Sequence, residues 1–166
     1  PVLLKDRKGN PLPKIVNSGG YRGPNASNSE VIAILRDMET YRNGQPTSNR
    51  GHSMNPQRTI FLNANDSDSV AVKGIGPDGV YRDSWGNPFI VTIDLNYDGK
   101  TLDGFYRHRD VSEQKGNRGL NGLTKVNGGY QANASVLVWS LGPDGQANAG
   151  VKANEGVNKD NILSWQ

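Results

Sequence analysis

The segment Val80–Asp103, VYRDSWGNPFIVTIDLNYDGKTLD, decides how the rest of the chain is placed. Within it, Trp85-Gly86-Asn87-Pro88 predicts a turn, because Gly frees the backbone and Pro forces the residue before it out of the helical region. Phe89–Ile93 then predicts a β-strand, since it is rich in β-branched and aromatic residues and places its first, third and fifth side chains on one face. The segment therefore predicts a turn that opens directly into a strand.

The strand runs into an acidic turn that has two interpretations. Asp94-x-Asn96-x-Asp98-Gly99 places oxygen donors at alternate positions and Gly at the sixth, as in a calcium loop of the EF-hand type. The Glu that closes such a loop is missing, and Asp103 is the candidate substitute. The candidate calcium ligands here are Asp94, Asn96, Asp98 and Asp103. The alternative is a hairpin turned at Asp98-Gly99 with Gly104–Arg107 as its second arm, which needs no metal.

The composition indicates a loop-rich domain with a modest core. The chain has 166 residues, of which 34% are hydrophobic, and it contains 21 Gly and 9 Pro. One domain of this length can bury a core, but the composition argues against a helical bundle or a large α/β enzyme. We expect an irregular N-terminal arm over residues 1–26 and one globular domain over residues 27–166.

The charge and the cysteine count exclude several classes of partner and site. The 19 basic and 16 acidic residues are spread along the chain without a basic cluster, so no nucleic-acid partner is expected. There is no cysteine, which excludes disulfides and thiolate metal sites. No apolar run approaches the roughly 20 residues that span a bilayer.

The pattern before the central segment predicts one helix and one short strand. Ser27 and Glu30 have the spacing of a capping box, and Asn43-Gly44 is a stop signal, so the helix is expected from about Ser29 to Arg42. Its apolar face would comprise Val31, Ile34, Leu35 and Met38. A short strand is expected over Arg58–Asn63.

The pattern after the central segment predicts a second strand and gives the fold class. Ser135–Leu141 alternates well and places Leu137, Trp139 and Leu141 on one face. A helix followed by an antiparallel sheet of about four short strands is an α+β arrangement.

The sequence contains no convincing enzyme motif, and we expect no catalysis. The chain has no G-x-S-x-G elbow, no H-E-x-x-H and no P-loop. Gly74–Gly79 superficially matches a dinucleotide fingerprint but lacks the strand-to-helix context. His108 lies beside Arg107, Arg109 and Asp110 without a catalytic motif, and His52 is expected to be a solvated loop residue.

The C-terminal loop is a second candidate cation site. About twenty residues without structure of their own need a reason to be ordered, and a bound ion would be one. The loop oxygens come from Asp144, Glu155, Asn158, Asp160 and Asn161. The alternative is a mobile, solvated loop, and both interpretations stay open.

Three motifs in order resemble a known family. They are G-x-D-G-V-Y-R-D-x-W-G-N-P at Gly76–Pro88, S-L-G-x-D-G at Ser140–Gly145, and N-K-D-N-I-x-x-W at Asn158–Trp165. Together they resemble the major pseudopilin of bacterial type II secretion, and more closely the pseudopilin-like proteins derived from prepilins. The resemblance covers about residues 29–166. It departs from the family pattern at Ser84, where Pro is usual, and at Lys159 and Asn161, where acidic residues are usual.

The resemblance implies a pilin-like globular domain, with a helix packed on a small antiparallel sheet and long ordered loops. It also implies a hydrophobic N-terminal helix, processed by a prepilin peptidase, through which subunits pack into a fibre. That helix is absent from this sequence, so we expect the soluble periplasmic domain or a trimmed mature form. The family further implies one structural calcium in the C-terminal loop. By position its ligands would be Leu141, through its carbonyl, and Asp144, Asn158, Asp160 and Asn161.

The expected function is therefore structural. The chain is expected to be a non-enzymatic subunit of a type II secretion pseudopilus or a type IV pilus-like fibre, stabilised by calcium. Its partners would be copies of itself, other pseudopilins and components of the secretion system. It would lie in the periplasm or at the cell surface, held in the inner membrane before assembly only by the absent helix. The alternative is a secreted or surface-exposed binding or adhesion module.

Overall fold

The computed structural model describes residues 28–94 and 96–166. The expected N-terminal arm (residues 1–26), Ser27 of the expected capping box and Leu95 of the acidic turn lie outside the described residues. The described residues belong to two compact units. Of the described residues, 28–89 form the first unit, and Ile90–Gln166 belong to the second.

The first unit contains one short helix and one small sheet. These elements are α1 (Ser29–Leu35), β1 (Gly74–Ile75) and β2 (Tyr81–Arg82), with a single 3-10 turn at Arg50–His52. β1 and β2 pair antiparallel, so that Gly74 lies opposite Arg82. The remainder of this unit is turns and irregular segments that side-chain hydrogen bonds hold in place.

The second unit contains most of the strands. Its elements are β3 (Ile90–Ile93), α2 (Arg109–Ser112), β4 (Thr124–Val126), β5 (Gly129–Gln131), β6 (Val136–Ser140) and β7 (Ile162–Leu163). Single 3-10 turns lie at Leu120–Gly122 and Gly156–Asn158. The strands form an antiparallel three-stranded sheet, β3-β6-β7, and an antiparallel hairpin, β4-β5.

The three-stranded sheet presents one face to the core of the second unit. Leu137 and Trp139 on β6 are buried, which confirms the face predicted from their alternation. Ile90 lies opposite Trp139 and Thr92 lies opposite Leu137, so these residues of β3 share that face. Ile90 is buried, whereas Val91 is only half-buried. The core therefore contacts the face of β3 that carries Ile90 and Thr92. The sequence alternation predicted the opposite face, which carries Val91 and Ile93.

Four aromatic rings form the centre of this core. The Tyr106 ring packs edge-on against Phe105, Trp139 and Trp165, with ring centroids 5.1, 5.1 and 5.3 Å away. Phe105 stacks on Trp139 at 5.3 Å. Each such pair stabilises the fold by about 0.5–1.5 kcal/mol beyond the area it buries. Tyr106 is consequently the ring on which the core packing converges.

The carboxylate of Asp103 joins this aromatic cluster to the sheet. Its Oδ2 accepts hydrogen bonds from Thr92 Oγ1 on β3 (2.6 Å) and from Trp139 Nε1 on β6 (3.2 Å). Its Oδ1 accepts the backbone N–H groups of Phe105 (2.8 Å) and Tyr106 (2.9 Å). Asp103 is 1% exposed, so these donors replace the water that a buried carboxylate loses.

The hairpin predicted after the acidic turn is wrong in its second arm. β3 pairs with β6, not with Gly104–Arg107, and 104–107 form consecutive turns. The physical reason lies in Asp103, because its carboxylate takes the Phe105 and Tyr106 N–H groups that a strand would use for pairing. Thr101 instead forms an isolated antiparallel β-bridge with Ala132.

The predicted turn at Trp85–Pro88 is confirmed. Gly86 adopts a φ of 86°, and the Asp83 carboxylate accepts the N–H groups of Trp85 and Asn87, both at 2.9 Å. Asp83, two residues before Trp85, therefore closes this turn, a role that the sequence motif did not reveal.

The predicted helix is about twice as long as the observed one. α1 ends at Leu35, and Asp37 adopts a left-handed φ of 55°, which no α-helix contains. Asp37 is held there by Asn49 Nδ2 (3.0 Å) and by His52 Nδ1 (2.8 Å), both of which approach Asp37 Oδ1. Contacts with a segment distant in sequence thus end the helix seven residues before Arg42.

The predicted helix face also differs from the structure. The buried residues of α1 are Ile32 and Ala33, and the predicted face of Val31, Ile34, Leu35 and Met38 is half-buried. Asn28 occupies the N-cap position but makes no capping hydrogen bond with its side chain. Its amide instead binds the backbone of Tyr81 and the carbonyl of Phe89, all at 2.8 Å.

The strand predicted over Arg58–Asn63 is wrong. Within this described stretch the backbone is irregular, and the N–H groups of Phe61 and Leu62 both donate to the Leu35 carbonyl at the end of α1. Asn55 Nδ2 donates to the carbonyls of Ile34 and Thr59, and so fixes the turn before it. These contacts use the backbone groups that a sheet would need.

The α+β fold class is wrong as well. The described residues contain two helices, of seven and four residues, and seven short strands in three small antiparallel sheets. The architecture is therefore mostly β, and not a pilin-like domain with a helix packed on a sheet. The early end of α1 at Asp37 is the physical reason, because it removes the long helix that the prediction required.

Replacing Asp103 tests the importance of the buried carboxylate. Asp103→Ala leaves four donors without an acceptor, most of them buried, so the free energy of unfolding should fall by about 3 kcal/mol or more. Urea unfolding curves measure this change. Asp98→Ala in the exposed part of the acidic turn is the control and should cost at most about 1 kcal/mol. Equal losses for the two variants would contradict the role given to Asp103.

Candidate functional site

The candidate functional site is the loop between β6 and β7, residues 141–161. Ser140 pairs with Ile162, so the two ends of the loop lie side by side. The turn that begins at Gly142 packs tightly on Asp160, since a Cβ atom at Gly142 would lie 2.1 Å from the Asp160 carbonyl oxygen. The Asp144 N–H donates to Asp160 Oδ2 at 3.3 Å. The structure therefore brings together Asp144 and Asp160, two of the predicted ligands.

Two oxygens in this loop are buried without a partner. Asp160 Oδ1 and Asn161 Oδ1 are inaccessible to solvent and accept no hydrogen bond within the described part of the chain. Leaving a buried acceptor unpaired costs roughly 1–3 kcal/mol, and more for a charged group. A cation bound beside Asp160 and Asn161 would satisfy both oxygens.

The orientation of Asn161 is fixed by the aromatic core. Its Nδ2 donates to the Tyr106 hydroxyl oxygen at 2.9 Å, which leaves Oδ1 as the unpartnered end of the amide. Burial raises the pKa of the Tyr106 phenol, and the hydrogen bond from Asn161 opposes that rise. Tyr106 therefore stays protonated at all ordinary pH values and holds Asn161 by a neutral hydrogen bond.

The oxygen donors of this loop suit calcium. Calcium takes six to eight oxygens from carboxylates, amides and backbone carbonyls. Asp160 and Asn161 offer the two unpartnered oxygens. Asp144 is exposed, and its Oδ1 accepts the Gln146 N–H. Leu141, whose carbonyl is the remaining predicted ligand, is buried. No group of three His, Cys, Asp or Glu placed for a metal occurs in residues 28–94 and 96–166. A site here would therefore depend on amide and backbone oxygens.

Asn158, another predicted ligand, serves a different purpose. Its Nδ2 donates to the carbonyls of Asn148 and Val151 at 2.8 Å, and its Oδ1 accepts the Asn148 N–H at the same distance. The residue is 1% exposed. Asn158 therefore orders the loop from within, independently of any ion, which the sequence pattern did not indicate.

Hydrogen bonds from its own backbone N–H groups to its carboxylates hold the acidic turn after β3. Asp94 accepts the N–H groups of Asn96 (3.1 Å) and Gly99 (2.8 Å), and Asp98 accepts that of Lys100 (2.9 Å). The proposed closing ligand, Asp103, is engaged by four donors in the core. Of the two candidate calcium loops, only the C-terminal one carries unpartnered buried carboxylate or amide oxygens among the described residues.

A third polar cluster surrounds His52 in the first unit. Its Nδ1 lies 2.8 Å from Asp37 Oδ1, and its Nε2 lies 3.1 Å from Glu39 Oε1. The hydrogen bond from His52 holds the pKa of Asp37 below its usual value. The expectation of a solvated loop histidine is therefore wrong, because its acidic neighbours come from the segment after α1 and not from local spacing.

Comparison with known proteins identifies no relative. No protein-family model matches the chain, and no curated protein or solved structure is significantly similar to it. No helix within the described residues is long and apolar enough to cross a membrane. The calcium ligands and the fibre function that the sequence resemblance implies remain predictions.

Thermal melting with calcium tests the C-terminal site. Calcium at a hundredfold excess over its dissociation constant should raise the Tm by about 5–10 °C relative to chelator. Asp160→Asn keeps the shape but removes the charge, and should abolish most of that shift. The matched variant Asp98→Asn, in the acidic turn, should retain it.

Two outcomes would contradict this assignment. One is an unchanged Tm when calcium is added to the unmodified protein. The other is loss of the calcium response in Asp98→Asn but not in Asp160→Asn, which would place the ion in the acidic turn after β3.

Proposed function

We propose that this chain is a non-enzymatic structural subunit of a type II secretion pseudopilus or a type IV pilus-like fibre. The observation that carries the proposal is the pair of buried, unpartnered oxygens of Asp160 and Asn161. They lie in the loop to which the sequence resemblance assigns a structural calcium. This support does not depend on the pilin-like fold, which the mostly β architecture excludes.

Calcium would act in this subunit as a structural crosslink. Asp160 and Asn161 would hold it with their side-chain oxygens, Asp144 with its carboxylate and Leu141 with its carbonyl. The ion would supply positive charge to buried acceptors and tie the turn at Gly142 to the residues before β7. The chain's own contribution is a loop whose conformation is already fixed by hydrogen bonds from Asn158 and to Tyr106.

The first unit offers a surface for contacts between subunits. Val70, Val72 and Trp85 are large apolar residues that are 53, 48 and 50% exposed. The backbone at Gly86 approaches Ala71 closely, because a Cβ atom at Gly86 would lie 2.5 Å from the Ala71 carbonyl oxygen. These three residues, here called the Trp85 surface, therefore lie near one another. Exposed apolar groups of this kind are typical of interaction sites.

Assembly in this proposal combines two kinds of contact. A hydrophobic helix outside this sequence would pack the fibre core, and the Trp85 surface would contact neighbouring subunits laterally. Ordering of the C-terminal loop by calcium would stiffen the second unit. Other pseudopilins and secretion-system components would be the further partners, in the periplasm or at the cell surface.

Photocrosslinking in the native cells tests the lateral contact. Replacing Val72 by p-benzoylphenylalanine in the full-length gene product should give covalent adducts at multiples of the subunit mass after illumination. The same replacement at Gln114, an exposed residue outside the Trp85 surface, is the matched control and should give few adducts. Trp85→Ser should reduce assembled fibre at least about tenfold while leaving the Tm of the domain unchanged.

Failure of self-crosslinking would contradict the fibre proposal. If position 72 yields only monomer, or adducts only with other proteins, subunits do not meet through this surface. Adducts with a non-self protein outside the cell would instead favour the secreted or surface-exposed binding module.

A further inference from the structure

The three-stranded sheet of the second unit is apolar on both of its faces. Consecutive side chains of a strand point to opposite faces, and Leu137 and Trp139 of β6 face the core. The alternate residues of β6, and the residues paired opposite them, therefore point away from the core. This second face, here called the outer sheet face, carries five aliphatic residues: Val91, Ile93, Val136, Val138 and Ile162.

The outer sheet face is partly open to solvent. Val136 is 49% exposed and Ile162 is 51% exposed, and the other three aliphatic residues are half-buried. None of the three strands contains a charged residue. An antiparallel sheet with one face in water normally carries polar residues on that face, whereas apolar residues on both faces are typical of a sheet that is covered on both sides. The outer sheet face therefore has the character of a contact surface.

The exposed area of this face is too small for a stable dimer. An aliphatic side chain offers roughly 60–120 Å² for burial when it is fully exposed. No residue of the outer sheet face is more than 51% exposed, so the whole face offers at most roughly 300 Å². A stable interface buries about 800 Å² on each partner. A contact of this size contributes only where other contacts already hold the subunits together, as they do in an assembly.

The Trp85 surface has a similar area and character. Val70, Val72 and Trp85 are each about half exposed and together offer roughly 200 Å² of apolar area. This surface belongs to the first unit, whereas the outer sheet face belongs to the second. Each chain therefore carries two unlike apolar surfaces of comparable size.

We propose that the Trp85 surface of one subunit packs on the outer sheet face of the next copy of this chain. The inference rests on the proposed fibre function and adds the surface that the Trp85 surface contacts. A contact between unlike surfaces leaves one surface of each kind free at the two ends, so further copies can add to it. A contact between two identical surfaces would close as a dimer, which the small area does not support.

Another exposed apolar group in the first unit is the main alternative. Met54, Ile60 and Phe61 are 56, 68 and 63% exposed. This group contains no Trp, Tyr or Arg, the residues that most often dominate the binding energy of an interface. Trp85 is therefore the better anchor for the outer sheet face, and Phe61 supplies a comparison position in the experiment.

Cysteine crosslinking in the native cells tests which surfaces meet. The sequence contains no cysteine, so introduced cysteines report on chosen positions. In the full-length gene product, Val72→Cys combined with Val136→Cys should give a ladder of dimers, trimers and larger species with a short bismaleimide. Each single variant should remain monomeric, because neither surface meets its own kind. Val72→Cys combined with Gln114→Cys, at an exposed position outside both surfaces, is the matched control and should give no ladder.

The amount of assembled fibre provides a second measurement. Val136→Lys places a charge on the outer sheet face and should reduce assembled fibre about tenfold, with an unchanged Tm. Adding Trp85→Ser should cause little further loss, because both changes remove the same contact. Gln114→Lys is the control and should assemble normally.

Failure of this contact is distinguishable from failure of the fibre proposal. Dimers from either single variant, or a ladder from Phe61→Cys with Val136→Cys in place of the Val72 pair, would overturn the inference and leave the fibre proposal standing. Fibre that assembles normally without any ladder would do the same. Only the absence of both fibre and crosslinked species from the cells would contradict the two proposals together.

Discussion

The second unit depends on the hydrogen bonds that reach the buried carboxylate of Asp103. Two of its donors, Thr92 and Trp139, belong to paired strands, and the other two are the N–H groups of Phe105 and Tyr106. The same carboxylate therefore connects β3 to β6 and fixes the turn formed by the residues after it. From Tyr106 one hydrogen bond leads to Asn161 in the C-terminal loop. The carbonyl of the next residue, Arg107, accepts the Tyr130 N–H and so joins this segment to the β4–β5 hairpin.

The sequence predicts those parts of the fold that local patterns control. The alternation in Val136–Ser140 identifies β6 and its buried face, and the Gly and Pro of the Trp85 turn identify that turn. It does not predict where α1 ends, because Asp37 is held by residues of the Asn49–His52 segment. It also misses the partner of β3, since no local signal shows that Asp103 occupies the N–H groups of the following residues. These failures share one cause, which is side-chain hydrogen bonding between distant segments.

The candidate sites show the same division. Motif position alone points to Asp144, Asp160 and Asn161, and the structure places these residues in one loop with two unpartnered oxygens. The position of a residue in the motif does not show whether its side chain binds an ion or makes hydrogen bonds within the loop. Asn158 makes hydrogen bonds within the loop.

The proposed structural role requires a cation that completes the C-terminal loop and makes this chain a rigid building block. A crystal structure of the protein grown with calcium tests it most directly. That structure should contain an ion whose ligands include Asp160 Oδ1 and Asn161 Oδ1 at about 2.3–2.6 Å. A structure in which both oxygens accept hydrogen bonds from ordered water, with no ion between them, would contradict it.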